Sequence, residues 1–209
     1  MKIYKIPEAT VMRLSIYSRY LYQLMDEGVQ TVSSGEIATG VGVSSAQVRK
    51  DLAYFGEFGT RGVGYKVEEL YENLLKILGL DKHWNAIIIG AGKLGSALAL
   101  YKGFVDRGFH ITAILDVDDN TIGKKLSDVE VEPLEVLNQR VQENKINIGL
   151  VTVPAVAAQD VTDKLVEAGV KAILNFSPRV IKVPAGVILR NVDLSVNLEV
   201  LSFNLVSKQ

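Results

Sequence analysis

The strongest constraint on the fold of this chain is Gly90-Ala91-Gly92-Lys93-Leu94-Gly95, a GxGxxG turn between the apolar run 86–89 and a helical stretch that begins near Leu94. Each glycine has a task in a strand-to-helix turn. Gly90 makes the tight turn, Gly92 lets the backbone approach a pyrophosphate, and Gly95 lets helix and strand pack closely. The helix start adds unpaired N–H groups suited to phosphate oxygens. Around this motif the apolar runs 86–89, 111–115, 148–153 and 172–174 are continuous, as strands buried on both faces require. Helical stretches around 94–105, 135–143 and 155–168 fall between them, so the sequence predicts a parallel sheet covered by helices on both sides.

The same region selects a ligand class. Asp116, followed by Val117, Asp118 and Asp119, ends the second run 21 residues after Gly95, close to the roughly 20 expected of a ribose-binding carboxylate. The other reading is a packing turn followed by a solvated acidic loop. No Arg or Lys follows Asp116 before Lys124, and a 2′-phosphate among these carboxylates would be repelled. The pattern therefore predicts NADH/NAD+ and not its phosphorylated form. Thr152-Val153-Pro154 and Asn175-Phe176-Ser177-Pro178 stand at later strand ends, where the nicotinamide side of such a ligand would lie. A proline-terminated strand edge explains them equally well.

The first third follows a different pattern. Val11, Leu14, Tyr17, Leu21 and Leu24 recur at steps of three and four, which predicts a helix over 8–27 stopped by Gly28. Ser33-Ser34-Gly35-Glu36 matches a capping box opening a short helix that ends at Gly40-Val41-Gly42. Ser44-Ser45-Ala46-Gln47 matches a second box, opening a helix with Val48 and Leu52 inward and Ser45, Arg49 and Lys50 outward. Two short capped helices joined by a glycine turn predict a helix-turn-helix. The glycines at 56, 59, 62 and 64 predict a β-hairpin wing carrying Arg61. A further helix is expected over 67–78, and the domain boundary between Gly79 and Trp84.

Charge is informative here only by placement. The chain of 209 residues has 23 Lys+Arg against 24 Asp+Glu, so its net charge of -1 selects no nucleic-acid or membrane partner. Through Lys66 there are eight basic residues against six acidic ones, a modest positive bias. Ser44, Ser45, Gln47, Arg49 and Lys50 suit a helix entering the major groove, Arg61 suits a narrow A·T-rich minor groove, and Lys66 follows the wing. A helical protein-interaction domain with solvated arginines is the competing account.

Several chemistries are excluded or unsupported. With Cys 0 there is no disulfide, thiol catalysis or cysteine-ligated metal site. A dehydrogenase needs a proton donor or acceptor beside the hydride. The two histidines, His83 in the linker and His110 just before the second strand, are both expected away from the ligand end of the sheet. No catalytic residue and no metal site are assigned. About 125 residues remain after Trp84, enough for one dinucleotide fold and no substrate domain. The N-terminus has Pro7 and Glu8 where a signal peptide needs an apolar region, and no run approaches a membrane span, which together favour the cytoplasm. At the other end Leu194, Leu198, Leu201 and Leu205 predict a leucine-faced helix, packed either on its own domain or on a second copy.

Gln47-Val48-Arg49-Lys50-Asp51-Leu52, Tyr54-Phe55-Gly56, residues 59–65 (GTRGVGY), residues 90–98 (GAGKLGSAL) and Asn175-Phe176-Ser177-Pro178 resemble the Rex redox-sensing transcriptional repressors over nearly the whole chain. The resemblance implies a winged helix-turn-helix head over 1–79, a Rossmann-type doubly wound parallel sheet over 80–192 binding NADH/NAD+ as a regulatory ligand, and a terminal helix over 193–209 exchanged in a homodimer. It implies binding to a palindromic operator when NADH is scarce and release when NADH binds, with Tyr101 and Asp193 coupling the nicotinamide to dimer closure. The alternatives are a small NAD-dependent oxidoreductase with an accessory helical head, and a nucleotide-sensing module whose head binds another protein.

Overall fold

A computed structural model describes residues 6–60 and 62–207. The chain divides into two compact units, Met1–Lys82 and His83–Gln209.

In the first unit, α1 (Glu8–Asp26) carries Leu14, Tyr17, Leu21 and Leu24 on its buried face, as the periodicity predicts. Val11 does not join them. It is 41% exposed, and Thr10 is buried in its place, because the stripe at this end of the helix faces a polar cluster. After β1 (Thr31–Val32), α2 (Ser34–Val41) starts with the expected capping box: Ser33 Oγ accepts from the Glu36 N–H, and Glu36 accepts from the Ser33 N–H. Gly42, in the left-handed region at φ 73°, ends it and turns the chain into α3 (Ser45–Ala53). The second box forms only by half. Ser44 caps the Gln47 N–H, but the Gln47 side chain turns to Asp51 and not back to the cap.

The wing also departs from expectation. Thr60 and Gly64 form a single bridge, and β2 (Tyr65–Lys66) pairs antiparallel with β1 instead of with a wing partner. Two residues of β1 are too short to read as a strand from sequence. α4 (Val67–Ile77) closes the core with Val67, Leu70 and Leu74, against Ile37, Val48 and Leu52.

The second unit is a seven-stranded sheet. Its elements are β3 (Trp84–Ile89), α5 (Lys93–Ala99), α6 (Lys102–Val105), β4 (Phe109–Asp116), β5 (Lys125–Leu126), β6 (Val129–Pro133), α7 (Leu137–Glu143), β7 (Ile148–Val151), α8 (Ala158–Glu167), β8 (Ala172–Asn175), β9 (Ile188–Asn191) and α9 (Leu194–Val206). The order is β5-β6-β4-β3-β7-β8-β9. All pairs are parallel except the β5–β6 edge hairpin. Numbering the six parallel strands along the chain gives 3-2-1-4-5-6 across the sheet, the Rossmann order. β3 and β7 flank its switch point, and Ile87, Ile88 and Ile89 of β3 are fully buried between the helical layers.

Sequence reading missed β5, β6 and β9. The Val-Glu alternation of β6 reflects a strand near the edge, where the two faces differ. The helix expected over 94–105 is two helices, broken at Tyr101. α9 has no buried residue: its apolar side chains, from Val196 to Val206, are 50 to 73% exposed. The leucine face expected of it is instead a helix apolar on several sides, with Val196, Val200, Phe203 and Val206 exposed beside the leucines.

Candidate functional site

The glycine turn lies at the carboxyl end of β3. Gly90 adopts φ 101°, open to glycine and strained for other residues. A Cβ on Gly95 would sit 1.9 Å from the Gly90 carbonyl oxygen, so α5 can meet β3 only through glycine there. A Cβ on Gly92 would meet nothing within 4 Å, which leaves that side of the turn open for a ligand. Thr152, just past β7, locks the turn across the switch point: its hydroxyl lies 2.6 Å from the Gly90 carbonyl and 2.9 Å from that of Ile89. Lys93 and Leu94 begin α5 above this frame.

Asp116 reaches the same turn from β4. Its Oδ2 accepts from the Ala91 N–H at 2.6 Å, and its Oδ1 from the N–H groups of Val117 (2.6 Å) and Asp118 (3.0 Å). An ionised carboxylate has about four acceptor positions, so three of them fix its orientation and one remains for a ribose hydroxyl. Next to it, Asp118 binds Asn120 and Thr121, and these hydrogen bonds hold its carboxyl below the ordinary aspartate value. A carboxylate held in this way beside Asp116 fits a free ribose diol and opposes a 2′-phosphate.

The other predicted positions divide. Val153 stands against the turn, within 3.0 Å of the position a Gly90 Cβ would take, and Pro154 follows it. Phe176 is half-buried against the core layer, and the buried Ser177 Oγ has no hydrogen-bond partner among the described residues. Asn175 is held within its own loop. Its side chain is fully buried; Nδ2 lies 2.9 Å from Asn191 Oδ1 and within 3.2 Å of the Arg179 and Ser177 carbonyls, while Oδ1 accepts from the Ser177 N–H. Its carboxamide brackets the turn after β8. Tyr101, 55% exposed, packs edge-on against Phe104 at 5.1 Å, over a bare Gly103 whose Cβ would strike the ring. Asp193 caps α9, accepting from the Ser195 N–H and hydroxyl. The structure does not bring Tyr101 and Asp193 into hydrogen-bonding contact within one chain.

In the first unit, Ser44 is exposed at the cap of α3, Arg49 and Lys50 are exposed on α3, and Ser45 is half-exposed. The Arg49 Nη1 donates to Ser34 Oγ at 2.9 Å, holding the guanidinium beside the start of α2. Lys66, 81% exposed, stands 3.8 Å from Glu69. Arg61 lies outside the described residues. Gln47 is half-buried, and its amide donates to Asp51 at 2.9 Å, which restrains the side chain. Asp51 itself was overlooked, although its position three residues after Val48 and one before Leu52 puts it on the buried stripe of α3. His110 lies within β4, not before it, and meets His83, with Nδ1 and Nε2 3.2 Å apart, at the strand-start end of the sheet. No cluster of three or more potential metal ligands occurs among the described residues.

Residues 5–53 match the family model "Putative DNA-binding protein N-terminus", and residues 81–179 match the model "CoA binding domain". The redox-sensing transcriptional repressor Rex of Syntrophomonas wolfei is 77% identical over 205 residues, 98% of each chain. The chain belongs to the Rex family. Rex of Carboxydothermus hydrogenoformans is 61% identical over 98% of this chain and 99% of that one, and Rex of Streptomyces coelicolor 48% identical over 95% and 77%. Solved structures agree: RSP in complex with β-NAD+ and operator DNA matches with a TM-score of 0.93 and 46% identity, covering 98% of this chain and 94% of that one. RSP in complex with β-NADH matches at 0.89 and 45%, covering 98% and 96%. The winged-helix and Rossmann reading of the Rex fold therefore stands.

Proposed function

We propose that this chain is a redox-sensing transcriptional repressor that binds operator DNA through its head and leaves it when NADH occupies the Rossmann site. The observation that carries this reading is the presence, in one Rex chain, of an exposed Arg49–Lys50 helix and an intact glycine turn with an oriented Asp116. The relatives bear the name of repressors, which disfavours the oxidoreductase alternative.

The head contributes direct readout and phosphate contacts. Ser44, Ser45, Arg49 and Lys50 present α3 to the major groove, Gln47 reads from its restrained position, Lys66 contacts the backbone, and Arg61 enters an A·T-rich minor groove. In the other unit the turn over residues 90–95 receives the pyrophosphate, Asp116 and Val117 the adenosine ribose, and Val153, Pro154, Phe176 and Ser177 the nicotinamide side, with Tyr101 and Asp193 joining nicotinamide state to closure. The bound dinucleotide supplies only its oxidation state as the signal.

The working unit is a homodimer of chains organised as a head (1–79), a nucleotide domain (80–192) and an exchanged terminal helix (193–209). The exposed apolar α9 supports this, because a helix apolar on several sides needs cover that one chain does not give it. Two heads then suit a palindromic operator. NADH releases DNA only by binding the released conformation more tightly than the DNA-bound one, while NAD+ discriminates less or in the opposite sense. No helix among the described residues is long and apolar enough to cross a membrane. Action on operator DNA places the protein in the cytoplasm.

The test is fluorescence anisotropy of a labelled A·T-rich palindromic duplex, titrated separately with NADH and NAD+ at fixed salt. Release at NADH concentrations where NAD+ has little effect is expected. Tight binding indifferent to both nucleotides would overturn the redox reading, and no binding at all would overturn the repressor reading.

A further inference from the structure

Asp51 is a fully buried carboxylate on the very helix that presents Arg49 and Lys50. Five donors converge on it. Oδ1 accepts from Arg13 Nη2 (2.7 Å), Gln47 Nε2 (2.9 Å) and Thr10 Oγ1 (3.1 Å); Oδ2 accepts from Arg13 Nε (2.6 Å) and Tyr17 OH (2.8 Å). Four of the five come from α1, so Asp51 pins α3 to the helix beneath it. The fifth comes from Gln47, one turn earlier on α3 and at its exposed start.

An ionised carboxylate only accepts, so Gln47 must turn its amino group toward Asp51; the opposite orientation would set Oε1 against a carboxylate. One Nε2 hydrogen is thereby spent, and Oε1 with the second Nε2 hydrogen is what Gln47 can offer outward. That acceptor and donor pair is what glutamine uses on adenine in the major groove, accepting from N6 and donating to N7. Resting on the operator-binding reading above, we propose that Asp51 is a positioning residue for sequence readout, holding the Gln47 carboxamide in the one orientation that selects adenine. The arrangement needs no contact between Asp51 and DNA. It also gives the buried charge a role besides packing, since a charge this deep is a poor source of net stability even when paired.

The experiment is a double-mutant cycle of Gln47→Ala, Asp51→Asn and both together. The duplex is one selected by the wild-type protein from a randomised pool, with each of its single base-pair substitutions. Gln47→Ala, which leaves the buried cluster intact, should cost about tenfold in discrimination at one base pair per half-site and little elsewhere. Asp51→Asn should lose discrimination at that same base pair although Gln47 is present, and should add nothing there in the Gln47→Ala background. A role in packing alone predicts instead a uniform loss across all duplexes, which would overturn the proposal. NADH affinity and a thermal melt of each variant report folding. If Asp51→Asn does not fold, the charge-neutral pair Arg13→Gln/Asp51→Asn replaces it, and full discrimination retained by Gln47→Ala overturns the proposal in any case. Wild-type protein selecting no duplex would overturn the operator reading with it; selection by wild type with full discrimination in folded Asp51→Asn would overturn this inference alone.

Discussion

Asp51 and Asp116 are both aspartates in hydrogen-bonded positions, yet their surroundings give them different tasks. Burial pushes the Asp51 carboxyl up, and the hydrogen bonds from Arg13, Tyr17, Gln47 and Thr10 outweigh it, so the group stays below its ordinary value. Burial, then the bond to Asp51, pushes the Tyr17 phenol up, so it remains a neutral donor at ordinary pH. The sign for stability follows. A carboxyl depressed in the fold contributes fully above its unfolded value, about 3.9, and its contribution is lost as pH falls through the lower folded value. The head should therefore show no loss from this group between about pH 5 and 8 and an acid-side fall in melting temperature below about pH 4. A melt series in which Asp51→Asn keeps the same acid limb would count against that assignment. Asp116 is half-exposed and oriented by three backbone N–H groups. Asp116→Ala should weaken NADH binding by about 10- to 100-fold, the worth of a hydrogen bond to a charged group, while the far-UV spectrum stays unchanged; calorimetry giving wild-type affinity would refute the ribose role. The glycine turn and Asp116 were legible in sequence because their spacing is local. The Asn175 bracket was not, since its partners Arg179 and Asn191 are set by how the loop after β8 folds back.

Among the elements, those with strong local signals appeared where expected. α1, α2, α3 and α4 have clear apolar periodicity or capping residues, and β3, β4, β7 and β8 are each built around a largely apolar run. β1 and β2, two residues each, exist only as each other's partner, and β9 owes its place to pairing with β8. α9 is the converse case: its sequence made it a helix, yet the folded chain leaves its side chains uncovered. If a second copy covers it, Leu198→Glu or Leu201→Glu should shift the protein from dimer to monomer without unfolding either unit. Sedimentation velocity reads this directly, and an unshifted dimer from both variants would rule out α9 as the contact. Each substitution buries a charge in an apolar contact, a cost of several kcal/mol if the interface forms.

For the whole molecule, the two sites must exchange free energy if NADH is to displace DNA. That coupling is reciprocal by thermodynamic necessity, so saturating operator DNA should weaken NADH binding by the same factor by which NADH weakens DNA binding. Calorimetric NADH titrations with and without duplex measure one side, anisotropy the other; unequal factors would mean that the two ligands do not share one conformational equilibrium. The sequence by itself determined the alternation of strands and helices, the glycine spacing of the turn after β3, the carboxylate at the end of β4 and the capped helices of the head, because each is encoded among residues near one another along the chain. Tertiary structure alone decided that Thr152 closes on Gly90, that donors 34 to 41 residues away converge from α1 on Asp51, that His83 meets His110, and that α9 is left bare. Such contacts depend on which elements the sheet order and helix packing bring together, and a pattern read along the chain carries the preference of each element but not the identity of its neighbours.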